Sequence, residues 1–293
     1  MVYLVSLQDI PVMIIPANYH THSRYDDGCG ELEEYAAMAL NKGLKYLGFS
    51  GHAPLPFETL WNIKAAELDS YLSTVRRLKQ EYNGRLEILV GLEIDYIPEI
   101  ISPRCDYVRA LKLDYTLGSV HFLNPLPDGT QWTVDGTRDE LERGLGEVFG
   151  GDVRAMVEEY YRRVRAMLTY SPPDIVGHID LVKKNNRSGE YFKESETWYR
   201  QAVKETLAAL KKSGSIMEIN TGGLARNTSC ALYPSEWILA ECLKLEIPVM
   251  INSDAHAPEG LDAFMDETSL KLKEMGFTEC RILTATRRKG VRL

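Results

Sequence analysis

The sequence predicts an α/β barrel, with parallel strands inside and helices outside. Three observations point there. Short apolar runs alternate along the chain with longer segments of helical period, the pattern of a parallel sheet covered by helices. Seven such runs can be picked out, a number that suits a barrel, although an open parallel sheet fits the same alternation. The length, 293 residues, is long for one ordinary domain but typical of a single α/β barrel.

The elements follow in order. A first strand is expected at 12–19, with 1–12 as an upstream extension, and a helix at 31–42. A strand at 44–49 precedes a helix at 65–82, which Asn83-Gly84 ends as a C-terminal stop. Strands are read at 86–92 and 115–120. The stretch 124–151 is rich in Pro, Gly and Asp and has no clear period; it reads as an insertion or lid over a site, or as a plain surface loop. A helix at 152–168, a strand at 175–176 and a helix at 195–213, stopped by Ser213-Gly214, come next. A strand at 215–219, a helix at 235–245 opened by Pro234-Ser235, and a strand at 247–251 complete the set. The whole chain is expected to be one domain.

Composition narrows the function. Hydrophobic residues at 44% and charged residues at 26% are the balance of a globular enzyme, with a core large enough to need no disulfides. The five cysteines are scattered and form no C-x-x-C pair, which argues against a zinc ribbon or redox motif and for reduced thiols. A net charge of −8 and a pI near 5.4 give no sign of the basic face that a duplex binder carries, so a small-molecule substrate is expected and nucleic acid is not. No apolar run reaches the ~18 residues needed to span a bilayer. The first 17 residues are apolar but lack a basic n-region and contain Asp9, so they read as a strand with an extension rather than a signal peptide. Met13 is an alternative start. A cytoplasmic location is expected.

The chemistry is in the histidines. There are six, and each immediately follows an expected strand: His20 and His22 in NYHTHS, His52 in GFSGHAP, His121 in GSVHF, His178 in DIVGHID and His256 in NSDAHAP. In a parallel barrel the C-terminal strand ends converge on one mouth, so these imidazoles are expected to share a pocket. Carboxylates occupy equivalent places: Glu93 after the third strand, Glu218 near the sixth, Asp254 at the end of the seventh, and Asp27 on the first loop. Imidazole and carboxylate suit zinc, manganese or iron. In His20-Thr21-His22 the i, i+2 spacing puts both rings on one face of an extended segment, where they can chelate one ion. A single histidine at a strand end is more often structural. Six of six among carboxylates, which are costly to bury unpaired, favour a metal centre.

The motifs HTHSRYDDG, GFSGHAPLPF, GLEIDY, GSVHF, GHIDL, EINTGGL and NSDAH resemble those of the polymerase-and-histidinol-phosphatase (PHP) superfamily, and within it the histidinol-phosphate phosphatases. The resemblance runs from about residue 18 to residue 260 and implies a distorted (β/α)7 barrel with its metal site at the C-terminal strand ends. It implies two to three divalent ions: one held by His20, His22, Glu93 and Asp254; a second by the bridging Glu93 with His121 and His178; a third by Asp27, His52 and His256. It also implies phosphate contacts from Lys183, one of two lysines after GHIDL, and from Arg226, one position later than the pattern leads one to expect. Gly51 stands where the pattern has an aspartate, so a carboxylate contact beside His52 is missing.

The expected reaction is hydrolysis of a phosphate monoester, by resemblance L-histidinol phosphate, in histidine biosynthesis. His20, His22, Glu93 and Asp254 would activate the attacking water directly, since no serine or cysteine sits in a nucleophile elbow. Asp95 and Asp180 are expected to fix second imidazole nitrogens. Three rival readings remain open: a PHP phosphoesterase acting on other monoesters, a nucleic-acid exonuclease, and a metal-binding domain without catalysis. The sequence assigns no oligomeric state.

Overall fold

The computed structural model describes residues 15–226 and 231–293. The start of the first expected strand, the 1–12 extension and both candidate start methionines lie outside the described residues.

Strands and helices alternate: β1 Ala17–Asn18, α1 Leu32–Asn41, β2 Tyr46–Phe49, α2 Leu68–Glu81, β3 Glu87–Asp95, α3 Asp106–Ala110, β4 Tyr115–Ser119, α4 Arg138–Phe149, α5 Val153–Tyr170, β5 Ile175–Val176, α6 Thr197–Ser213, β6 Ile216–Asn220, α7 Gly222–Ala225, α8 Glu236–Lys244 and β7 Val249–Asn252. A last helix, α9 Met265–Met275, and a hairpin of β8 Glu279–Leu283 and β9 Arg288–Arg292 follow. Strands β1 to β7 form one parallel sheet in chain order. Just past the strand ends, Thr21 bridges Ala255 in parallel; His22 N donates to Ala255 O at 2.9 Å and Ala255 N to His20 O at 3.1 Å. The sheet therefore closes on itself as the expected seven-stranded distorted barrel, and the closing seam runs through two histidine motifs.

Local sequence explains the helices. In α2, Leu68, Tyr71, Leu72, Val75 and Leu78 are buried, the one-face spacing of an amphipathic helix. Helix α5 starts at Asp152, whose side chain accepts from Ala155 N, a standard way to satisfy a first-turn donor. The barrel interior is filled by Tyr115, whose hydroxyl donates to Tyr19 O at 2.7 Å and Phe49 O at 3.1 Å. A Cβ at Gly48 or Gly91 would run into its ring, so the small residues on β2 and β3 make room for it.

Three expectations need correction. Strand β3 runs on to Asp95, so Glu93 lies within the strand rather than after it; its neighbour β4 pairs with it through Asp95. The 124–151 stretch contains a helix, α4, capped by Thr137, with Leu141, Gly144 and Leu145 buried. Its period was masked because Gly144 takes a core position, where a Cβ would collide with Trp132. The hairpin was not anticipated: it packs across the N-terminal strand ends, with Tyr19 Oη donating to Leu283 O at 2.6 Å and Arg288 pairing with Asp174 at 3.1 Å.

Candidate metal centre

The backbone at the closing seam sets the first pair. Residues 20–22 stay extended because they pair with the end of β7, and alternation then puts His20 and His22 on one face. Their Nε2 atoms lie 3.4 and 3.1 Å from Asp254 Oδ1. Asp254 has φ of +53°, a left-handed conformation costly for a residue with a side chain. Arg226 holds it there, with one guanidinium nitrogen on Asp254 O at 2.6 Å and the other on Oδ2 at 2.7 Å.

Glu93 stands at the middle. Its Oε2 is 3.0 Å from His20 Nε2 and 3.3 Å from His52 Nδ1; its Oε1 is 3.0 Å from His178 Nε2, 3.7 Å from His121 Nε2, and accepts from Ser119 Oγ at 2.6 Å. Asp27 reaches His256 Nε2 at 3.2 Å and His52 Nε2 at 3.8 Å. All nine expected ligands are thus gathered, and they fall into four sets whose nitrogen and oxygen atoms lie within 4.8 Å of one another or adjoin such a set: His20–Glu93–His178, His20–His22–Asp254, His52–Glu93–His121, and His22–Asp26–Asp27–His52, which His256 joins through Asp27. The sets overlap, with His20, His22, His52 and Glu93 each in two of them, because Glu93 faces rings from both halves of the barrel.

Carboxylates behind the rings decide which nitrogen faces inward. His20 Nδ1 is 2.7 Å from Glu218 Oε1, His22 Nδ1 is 2.7 Å from Asp26 Oδ2, and His121 Nδ1 is 2.8 Å from Asp95 Oδ1. A proton on each Nδ1 satisfies these contacts and reserves Nε2, which faces Glu93 and Asp254, as the nitrogen whose lone pair an ion would take. His256 Nδ1 lies 2.8 Å from an Arg226 guanidinium nitrogen and 2.9 Å from Asp254 O, and its Nε2 faces Asp27 at 3.2 Å. Asp95 therefore meets its expectation. Asp180 does not: it is buried against Lys183 at 2.7 Å and Ser235 N at 2.9 Å. Asp26 was overlooked although it precedes Asp27 in the same motif; it also accepts from Ser23 N and His52 N, at 2.7 and 3.1 Å. A Cβ at Gly51 would come within 3.2 Å of Asp26 Oδ2, so the glycine gives this carboxylate its space beside His52.

The electrostatics are those of a dense, mutually neutralising cluster. Burial opposes the charge on His22 and His121, but Asp26 and Asp95 raise both to about 10. Burial alone would raise Glu93 and Asp254. His52 and His20 hold Glu93 well below the usual carboxylate range, and Arg226 and His20 do the same for Asp254. The donor set fits divalent ions. Asp254 Oδ1 and His52 Nδ1 are buried without a hydrogen-bond partner, yet each faces other lone-pair donors at 3.1–3.4 Å. Orphaned buried polar atoms are costly, and a shared cation would satisfy them.

The centre forms the floor of a 590 Å³ cleft. Its outer wall comes from Trp61 and from Thr133, Asp135, Gly136, Thr137 and Glu140 of the 124–151 stretch. Arg226 lines the cleft, but Lys183 does not. The Lys183 ammonium is turned away onto Asp180, Leu232 O at 2.9 Å and Ser235 Oγ. The next residue, Lys184, faces the cleft instead. The two lysines are indistinguishable in sequence; the 3-10 turn Leu181–Lys183 decides between them.

Residues 18–222 match the PHP domain family, and the chain belongs to that family. It is 32% identical over 238 residues to a histidinol-phosphatase from Bacillus subtilis (strain 168), an overlap covering 77% of this chain and 87% of that one. A solved structure of histidinol phosphate phosphatase from Lactococcus lactis, complexed with zinc, L-histidinol and phosphate, has the same fold: TM-score 0.71 at 19% identity, covering 93% of this chain and 98% of its own. A structure from Listeria monocytogenes gives TM-score 0.74 at 22% identity over 85% of this chain and 98% of its own.

Proposed function

We propose that the chain is a divalent-metal-dependent phosphatase that hydrolyses L-histidinol phosphate to L-histidinol and phosphate, in the cytoplasm, as part of histidine biosynthesis. The observation that carries the metal-dependent reading is the set of carboxylate-backed imidazoles, His20–Glu218, His22–Asp26 and His121–Asp95, turned onto Glu93 and Asp254. The kinship with the Bacillus subtilis histidinol-phosphatase supports the substrate.

Two or three ions of zinc, manganese or iron would be held by His20, His22, Asp27, His52, Glu93, His121, His178, Asp254 and His256. Bound there, they would supply charge neutralisation of the phosphoryl oxygens and a nucleophilic water near neutral pH. The protein's own part is positioning. Glu218, Asp26 and Asp95 lock three rings, and Arg226 braces Asp254 and His256 while presenting its guanidinium to the cleft. Lys184, which lines the cleft in place of the expected Lys183, would offer the phosphate a second cation. Trp61, stacked on Phe122 at 5.5 Å, and the 133–140 wall narrow the cleft, which strengthens electrostatic contacts by excluding water.

The test is phosphate release from L-histidinol phosphate by purified protein, with Mn²⁺ or Zn²⁺ added, beside a panel of other monoesters and a chelator-treated control. Preference for histidinol phosphate, lost on chelation and restored by metal, is the expected result. Metal-dependent activity confined to other esters would overturn the substrate.

A further inference from the structure

The cleft's outer wall carries a charge the hydrolysis of phosphate does not require. Asp135 lines the cleft, and its Oδ2 accepts from Lys184 Nζ at 3.1 Å. The side chains of the pair are 21% and 31% exposed, so neither belongs to the open surface. The segment bearing Asp135 is fastened on both sides. Phe122 bridges Thr133, Val134 N donates to His121 O at 2.9 Å, and Asn185 Nδ2 donates to Gly136 O at 3.0 Å. Burial works to protonate Asp135, but Lys184, His121 and His178 outweigh it and keep the carboxyl below its ordinary range. A fixed carboxylate is thus set into a cleft whose task is to receive a dianion, where it would repel the phosphate unless it met a positive group. Glu140, the other carboxylate of this wall, already accepts from Thr133 N at 2.7 Å.

We propose that Asp135 is a specificity-determining residue that binds a primary ammonium group of the substrate, and that it exchanges Lys184 for that ammonium when the phosphate arrives. The enzyme then selects phosphate monoesters bearing an ammonium on the carbon next to the ester CH₂. In the free protein Asp135 and Lys184 neutralise each other. With a phosphate seated over the centre, Lys184 gains a dianionic partner. Asp135 is left a partly buried carboxylate without its own, which disfavours any substrate that brings no cation. The two ends of an amino phosphate answer both groups at once. This inference rests on the phosphatase reading and adds to it the feature by which the leaving alcohol is recognised.

The experiment uses metal-loaded full-length protein and two pairs of esters. The first pair is L-histidinol phosphate and its desamino counterpart, 3-(imidazol-4-yl)propyl phosphate; the second is phosphoethanolamine and ethyl phosphate. The wild type is expected to favour the ammonium ester of a pair by roughly tenfold in kcat/KM, since a partly buried carboxylate left unpaired is costly. Asp135→Asn should collapse that ratio by raising KM for the ammonium ester, leave the neutral ester unchanged or improved, and be partly rescued by Asp135→Glu. Equal loss on both members of a pair, or no loss on either, would overturn the assignment. If L-histidinol phosphate is cleaved equally well by wild type and Asp135→Asn, the subsite is wrong and the histidinol-phosphate reading stands. If phosphoethanolamine is favoured over ethyl phosphate only in the wild type while L-histidinol phosphate is not cleaved, the subsite stands and that reading falls.

Discussion

The floor and the outer wall of the cleft are built from different kinds of sequence. On the floor, the groups sit in the last residues of the strands or in the loops that follow them, and the backbone ladder of the barrel carries them into place. On the wall, Thr133, Asp135 and Glu140 come from the 124–151 stretch, whose path depends on side-chain packing. Trp132 is buried against Gly144, and its indole donates to Asn124 O at 2.7 Å. The floor is redundant in charge, since each carboxylate touches several imidazoles. On the wall, Asp135 has one ion-pair partner among the described residues, Lys184. Chemistry placed on repeated backbone geometry is therefore robust and motif-like, whereas selectivity placed on packing is free to vary.

Mutations can break or sharpen that contrast. The largest effect is expected at the centre of the floor. Glu93→Gln removes the charge that five imidazoles share, and phosphatase activity should fall by roughly a thousandfold or more; full activity with unchanged metal content would remove Glu93 from the site. Behind the floor, Glu218→Gln should cost about 10- to 100-fold in metal affinity or activity, read by metal titration, because His20 loses the partner that fixes its tautomer. A wall variant should act differently. Gly144→Ala drives a methyl into the Trp132 ring and should destabilise the protein by about 1–3 kcal/mol, seen in thermal unfolding, with metal content unchanged.

The two lysines offer a finer comparison. Lys183→Met strands Asp180 as an uncompensated buried charge and should cost about 3 kcal/mol of stability, measured by urea unfolding, with KM unaltered. Lys184→Met should raise KM several-fold, as loss of a partly exposed charge contact does, with little change in stability. The reverse pattern would return the phosphate role to Lys183. The smallest signal is a proton count. His22 and His121, raised to about 10 by their carboxylates, and His20, held well above the ordinary imidazole range by Glu218, Asp254 and Glu93, carry protons on both nitrogens at neutral pH in the metal-free protein. Each must give one up to bind an ion, so metal loading at pH 7 should release about three protons and metal affinity should fall as pH drops. Calorimetry in buffers of different ionisation enthalpy reads this directly, and zero release would show that the imidazoles are already neutral.

Much of the floor was legible from the chain. Six histidines at strand ends, the H-x-H pair and the carboxylates of LEIDY and NSDAH needed only strand periodicity to converge. Asp26 was missed because two adjacent aspartates look equivalent until the turn is built and Gly51 opens space for one of them. Lys183 was favoured over Lys184, and Asp180 was given a histidine, for the same reason: a 3-10 turn reorients side chains within one residue. The period of α4 was hidden by a glycine in a core position, and nothing in the hairpin's polar, arginine-rich sequence announced that it would cap the barrel's other end.

The sequence by itself determined the strand–helix alternation and the identity of the groups at the strand ends, because those follow from backbone periodicity, which is local; closure of the sheet as a barrel rested on the family resemblance, since an open sheet has the same alternation. Only the tertiary structure decided which nitrogen of each ring faces inward, which lysine meets the cleft and which carboxylate stands on its wall. Those choices depend on contacts between residues far apart in the chain, Glu218 with His20 and Asp135 with Lys184 among them, and no local pattern encodes a distance across the barrel.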